Sequence, residues 1–84
     1  MERTEILINS NDDWYGNYEK NKCKLIYIGE LSDGKFRVAV WGNDDFGIDK
    51  DFEIEEDAIE TFIKLSKYQI INHKDLFDLG FTIF

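Results

Sequence analysis

The sequence predicts a small α+β domain over residues 1–84: an antiparallel β-meander of three to five strands packed against one main C-terminal α-helix and a short second helix. Three observations predict it. Two β-rich runs flank Asp33-Gly34, an apolar stripe at helical spacing follows in the second half, and the absence of proline and of any Ser/Gly-rich linker leaves no place for a domain boundary. With 43% apolar and 15% aromatic residues the chain has enough apolar surface for one core, at ~100 to 150 residues per typical domain.

Taken in order, Thr4 to Ile8 reads as a first strand, followed by the polar, turn-rich Asn9 to Asn17 with Trp14 and Tyr15. Cys23 to Leu31 and Lys35 to Trp41 then form a hairpin, because Asp-Gly suits a two-residue type I′ turn that needs positive φ twice. That turn pairs Leu31 with Phe36, Glu30 with Arg37, Ile28 with Ala39, Tyr27 with Val40 and Ile26 with Trp41. One face would carry Leu25, Tyr27, Leu31, Phe36, Val38 and Val40 and pack on the helix. The other would carry Ile26, Ile28, Ala39 and Trp41 near the open end and Glu30 and Arg37 near the turn, to be covered by the first strand or loop.

Residues 42–47 read as a loop, and Ile48 to Ile54 alternate as a further strand, with Ile48, Phe52 and Ile54 inward and Asp49, Asp51 and Glu53 outward. Side chains two apart on a strand stand ~6.6 to 6.8 Å apart on one face, close to the spacing of phosphates along a nucleic-acid strand, so a row of three carboxylates is expected. Glu55 to Ile70 carries Ile59, Phe62, Ile63, Ser66 and Ile70 at helical offsets, with acids first and Lys64 and Lys67 later. Asn72 with Asp75 three positions on starts a short second helix that Gly80 ends, and residues 81–84 close the chain as a strand.

Charge is the main functional clue. Residues 44–60 hold nine acids against Lys50 alone, which accounts for the whole net charge of -8; elsewhere acids and bases balance. Such a chain is not a direct ligand of nucleic acid, because phosphate binding runs on Lys and Arg. Packed like charges repel, a cost retained where a field steers a basic partner. The plainer alternative is a solvated loop and helix start, since acids in a first helical turn complement the helix dipole.

The residues for chemistry are few. One His, one Cys and no nucleophile pattern predict a protein that is not an enzyme and takes no cofactor. Cys23 lies between Lys22 and Lys24 but reads as a small packed strand residue, and His73 as part of a helix cap. Asn43, Asp45, Gly47 and Asp49 superficially match a calcium loop yet lack its glycine at six and glutamate at twelve, so no metal site is expected. The repeat of Asn11-Asp12-Asp13-Trp14 in Asn43-Asp44-Asp45-Phe46 reads as turn chemistry. A single cysteine, no apolar run near ~20 residues and a Met-Glu-Arg-Thr-Glu start give the expectation of a cytoplasmic protein with no membrane contact.

A short, acidic, Asn/Lys/Ile-rich domain with the stretch Arg37-Val38-Ala39-Val40-Trp41-Gly42-Asn43-Asp44-Asp45-Phe46-Gly47 resembles small acidic phage-encoded accessory proteins, anti-CRISPR and antirestriction inhibitors among them. The resemblance implies action in the host cytoplasm against a host nuclease, bound on its DNA-binding surface; it carries over no functional residue. The leading expectation is therefore an inhibitor of a basic, nucleic-acid-binding host protein, acting as monomer or homodimer. Asp44, Asp45, Asp49, Asp51, Glu53, Glu56 and Asp57 would form its contact surface, with Trp14 and Trp41 as aromatic anchors. An antitoxin or immunity-type protein plugging a toxin's active site would rest more on Trp14 and Trp41. A structural accessory protein would self-associate through Ile26, Ile28, Ala39 and Trp41.

Overall fold

The computed structural model describes residues 3–10, 22–43 and 46–83. They form a five-stranded antiparallel meander in the order β1 (Thr4–Ser10), β2 (Lys22–Glu30), β3 (Phe36–Asn43), β4 (Phe46–Phe52) and β5 (Thr82–Ile83). The helices α1 (Glu55–Ser66) and α2 (His73–Asp78) lie between β4 and β5 in the chain, and α1 packs across β2, β3 and β4. The expected α+β class is present with all five strands.

The β2–β3 turn differs from the expected one by a residue. Leu31 donates to the Lys35 carbonyl at 2.7 Å, Gly34 donates to the Leu31 carbonyl at 3.0 Å, and Gly34 has φ of 87°. This is a three-residue loop, a turn over Ser32 and Asp33 closed by a left-handed glycine. The Asp33 carboxylate also accepts from the Lys35 N–H at 3.0 Å, a local bond that fixes the turn. The pairs become Glu30–Phe36, Gly29–Arg37, Ile28–Val38, Tyr27–Ala39, Ile26–Val40 and Leu25–Trp41.

A slip of one residue exchanges the faces of a strand. Ile26 and Ile28 of β2 therefore join Val38 and Val40 of β3 and Ile48 of β4 beneath the helices, and the expected pairing of Tyr27 with that face is corrected. Ala58, Phe62 and Leu65 of α1, with Ile71, Leu76 and Phe81, complete the core. Each fully buried side chain of this kind contributes roughly 1.5 to 3 kcal/mol, so this layer dominates stability. The apolar half-face of Ile26, Ile28, Ala39 and Trp41 does not exist as a unit, because its two isoleucines are core residues. Ala39 is buried too, but outside the core cluster.

Helix α1 is shorter than expected and turned. It ends at Ser66, and its inward positions are Ala58, Phe62 and Leu65, whereas Ile63 is 47% and Ile70 41% exposed. Its first turn holds Glu55, Glu56 and Asp57 and its last turn Lys64, the polarity that the helix dipole favours. Helix α2 starts as expected at Asn72, whose N–H donates to the Asp75 carboxylate at 2.9 Å. It ends in a Schellman motif: Gly80, with φ of 88°, donates to the Phe77 carbonyl, and Phe81 donates to that of Leu76. Phe81 and Leu76 are both buried, which supplies the apolar contact of that motif. Lys50 of β4 donates to the Leu79 carbonyl at 3.0 Å and so ties the sheet to the end of α2.

Gly34 and Gly80 are required by backbone geometry. At Gly34 a Cβ meets nothing within 4 Å, and at Gly80 it meets the flexible end of Lys50 at 3.2 Å, so the cost of alanine is mainly the left-handed conformation. That cost is about 1 to 2 kcal/mol, or several degrees in Tm for a domain of this size. Thermal unfolding of Gly34→Ala and Gly34→Asn checks this: alanine should lower Tm and asparagine should recover part of the loss. An unchanged Tm in Gly34→Ala would mean that the three-residue turn does not set the register.

Candidate protein-binding surface

The expected row of three carboxylates is not formed. Strand β4 runs from Phe46 to Phe52, so Glu53 lies beyond its end, and Ile54, expected inward, is the N-cap residue of α1 and 55% exposed. Asp49 and Asp51 do share the sheet face away from the helices, opposite Ala39 and Arg37 of β3. Both are held by one guanidinium. Arg37 Nε donates to Asp51 Oδ1 at 2.7 Å and Nη2 to Oδ2 at 3.1 Å, while Nε lies 3.2 Å from Asp49 Oδ2.

The two carboxylates answer to this arginine differently. Hydrogen bonding from Arg37 holds Asp51 below its ordinary range. Asp49 is only 9% exposed, and desolvation pushes its carboxyl up, against the pull of Arg37 and with added repulsion from Asp51. The hydrogen bond to Asp51 raises Arg37. On the same face, Arg3 pairs with Glu5 at 2.7 Å and its guanidinium lies 4.0 Å from the centre of the Tyr27 ring. Each carboxylate named here has a cation beside it, so this face is close to charge-balanced.

Among the described residues, the densest run of exposed acids lies at the start of α1. Glu53, Glu55, Glu56, Asp57 and Glu60 are all exposed. Within α1, position 60 lies four residues from 56 and three from 57, the spacing that puts neighbouring Cβ atoms ~5 to 6 Å apart on a helix surface. Ile54 sits among them as a poor cap: it makes no side-chain cap hydrogen bond, where Ser, Asp or Asn would satisfy a free N–H. Beside the helix, a groove of about 420 Å³ is lined by Lys50, Phe52, Asp57, Glu60, Thr61, Lys64 and Leu79, acids facing lysines.

Of the residues expected at a partner surface, Glu56 and Asp57 lie in the first turn of α1 and Glu53 just before it, whereas Asp49 and Asp51 belong to the Arg37 cluster. Trp41 is a β3 position opposite Leu25 and Gly47. Trp14, Asp44 and Asp45 lie outside the described residues. Ile54 and the counter-ion role of Arg37 were not expected. The first had a signal in the sequence, an isoleucine between two glutamates directly before a helix; the second depended on the register. Among the described residues, no helix is long and apolar enough to cross a membrane.

No family model, no curated protein and no solved structure matches this chain.

The Arg37 cluster makes a test of signs possible. A carboxylate lowered in the folded state stabilises above its ordinary range near pH 3.9, and Asp51 loses that contribution as pH falls through its lowered value. Asp49 is raised, so it favours folding while protonated and costs stability as pH rises from the ordinary range through its raised value. At pH 7, Asp51→Asn should lower Tm, through a stability loss of no more than about 1 kcal/mol for so exposed a pair. Asp49→Asn should leave Tm unchanged or raise it. Thermal melts between pH 3 and 8 measure both, and equal losses in the two variants would refute the assignment.

Proposed function

We propose that the protein is a non-enzymatic inhibitor whose acidic surface at the start of α1 occupies the basic nucleic-acid-binding groove of a host nuclease or similar protein. The resemblance to phage-encoded anti-defence inhibitors supplies the kind of target. The electrostatics supply the sign: exposed carboxylates on neighbouring helix positions steer a basic surface and raise its association rate. The contact set shifts from the strand to Glu53, Glu55, Glu56, Asp57 and Glu60, since Asp51 is hydrogen-bonded to Arg37 and Asp49 is nearly buried beside it.

Ile54 is the observation that carries this reading. Acids alone at a helix start have a sufficient explanation in the helix dipole, and no partner is needed. An isoleucine 55% exposed at the N-cap has no such explanation, because it costs the helix a cap and leaves apolar surface in water. An exposed apolar side chain flanked in sequence by Glu53 and Glu55 fits a protein contact with a desolvated centre and a charged rim.

Ile54→Ser should therefore move two measurements in opposite directions. A restored cap is worth about 1 kcal/mol and should raise Tm by several degrees, while retention of the partner from host lysate should fall at least about fivefold. Joint neutralisation of Glu53, Glu55, Glu56 and Asp57 to Gln or Asn should weaken retention and flatten its dependence on salt. The retained protein should be basic, and the inhibitor should displace nucleic acid from it. A partner retained equally by all variants, or one that binds nucleic acid and this chain together, would exclude the proposal.

A further inference from the structure

The two edges of the sheet are unequal. β5 is only two residues long, and the strand beneath it, β4, carries Asp49, Lys50 and Asp51, so that edge is short and charged. β1 at the opposite edge is seven residues long and has one charged residue, Glu5. Among the described residues no strand pairs with its outer side. Sheet edges are normally blunted by charge, proline, bulges or shortness, and β1 has no proline and no bulge against β2.

We propose that this edge pairs with β1 of a second copy of the chain, antiparallel about a two-fold axis through Leu7, to give a continuous ten-stranded sheet with the helices of both copies on one side. An antiparallel self-pairing must keep matching faces together, which leaves registers centred on a residue; the one centred on Leu7 uses all of β1. It places Thr4 opposite Ser10, Glu5 opposite Asn9, Ile6 opposite Ile8 and Leu7 opposite itself. No like charges meet, and Glu5, the sole charge, is held by Arg3 at 2.7 Å.

Electrostatics single out this edge for a second copy of a chain with net charge -8. Any pairing that brings the α1 starts together places like charge against like charge. Pairing through β1 separates the two β4 strands by seven interstrand spacings, about 34 Å at ~4.8 Å each, some four Debye lengths at physiological salt. Ile6, already packed against the core cluster, meets Ile8 of the other copy across the join.

Cysteine placement tests the register directly, in a Cys23→Ser background with glutathione disulfide as oxidant. Leu7→Cys should crosslink to itself, because directly opposed residues lie within disulfide reach. Glu5→Cys and Asn9→Cys should each stay monomeric alone and crosslink when mixed, with a yield at least about tenfold above either alone. This second pair keeps the test valid if Leu7→Cys perturbs the fold. Sedimentation of the unmodified chain up to about 1 mM should show a dimer. A monomer throughout, or Glu5→Cys crosslinking alone as well as in the mixture, would overturn the proposal. The result is independent of the Ile54 measurements, which concern the opposite end of the molecule.

Discussion

The left-handed conformation of Gly34 is the constraint on which the rest of the molecule depends. With Gly34 closing a three-residue loop, Leu31 bonds Lys35, and every later pair of the hairpin follows. The core then consists of Ile26, Ile28, Val38 and Val40, four β-branched side chains on one side of two strands, with Ile48 added from the third. Such side chains suit a half-buried pleated surface. The β3–β4 pairing, a separate register, sets Arg37 opposite Asp51 and near Asp49 on the far side. The β2 contribution to the core thus follows from the turn, and the surface electrostatics of this face from the β3–β4 pairing.

The Arg37 cluster shows how far that consequence reaches. Asp49 lies beside Ala39 at a nearly buried position, where an unpaired carboxylate would pay a large desolvation cost. Arg37 offsets that cost only in part: burial still raises Asp49, while the two-pronged bond lowers Asp51. One guanidinium serving two carboxylates cancels one of their two charges. The acidic character of residues 44–60 is therefore expressed, among the described residues, at the start of α1, where solvent and the helix dipole bear it.

Much of this was legible in the sequence, and what was not has a physical reason. The strands, both helices, the Asn72–Asp75 start of α2 and the Gly80 end follow from local patterns, because each depends on neighbours in the chain. The hairpin register did not follow. Ser32-Asp33-Gly34-Lys35 satisfies a two-residue turn over Asp33 and Gly34 and equally a three-residue loop with Gly34 last. Leu25 and Tyr27 alternate with Ile26 and Ile28, so either face of β2 is apolar and hydrophobicity alone leaves the choice open. The stripe of α1 departs from the expected one for a related reason: Phe62 is buried and Ile59 packs on the core, but with Ala58 and Leu65 also apolar the sheet buries these in place of Ile63 and Ile70. The site moved with these choices, since Asp49, Asp51 and Glu53 form a row only if the strand continues through Glu53.

What remains exposed is sorted along the molecule. Carboxylates without a described counter-ion gather with Ile54 where β4 hands over to α1, and a long, nearly uncharged strand edge lies three strands away. A sheet that mixed these features would gain neither: an acidic edge resists pairing, and an apolar one beside the acids would dilute their field. Because a meander places consecutive strands side by side, position in the chain becomes position across the sheet. Concentrating the excess of acid over base in residues 44–60 therefore places the net charge on strands and a helix start away from β1, and the segregation seen in three dimensions follows the segregation in sequence.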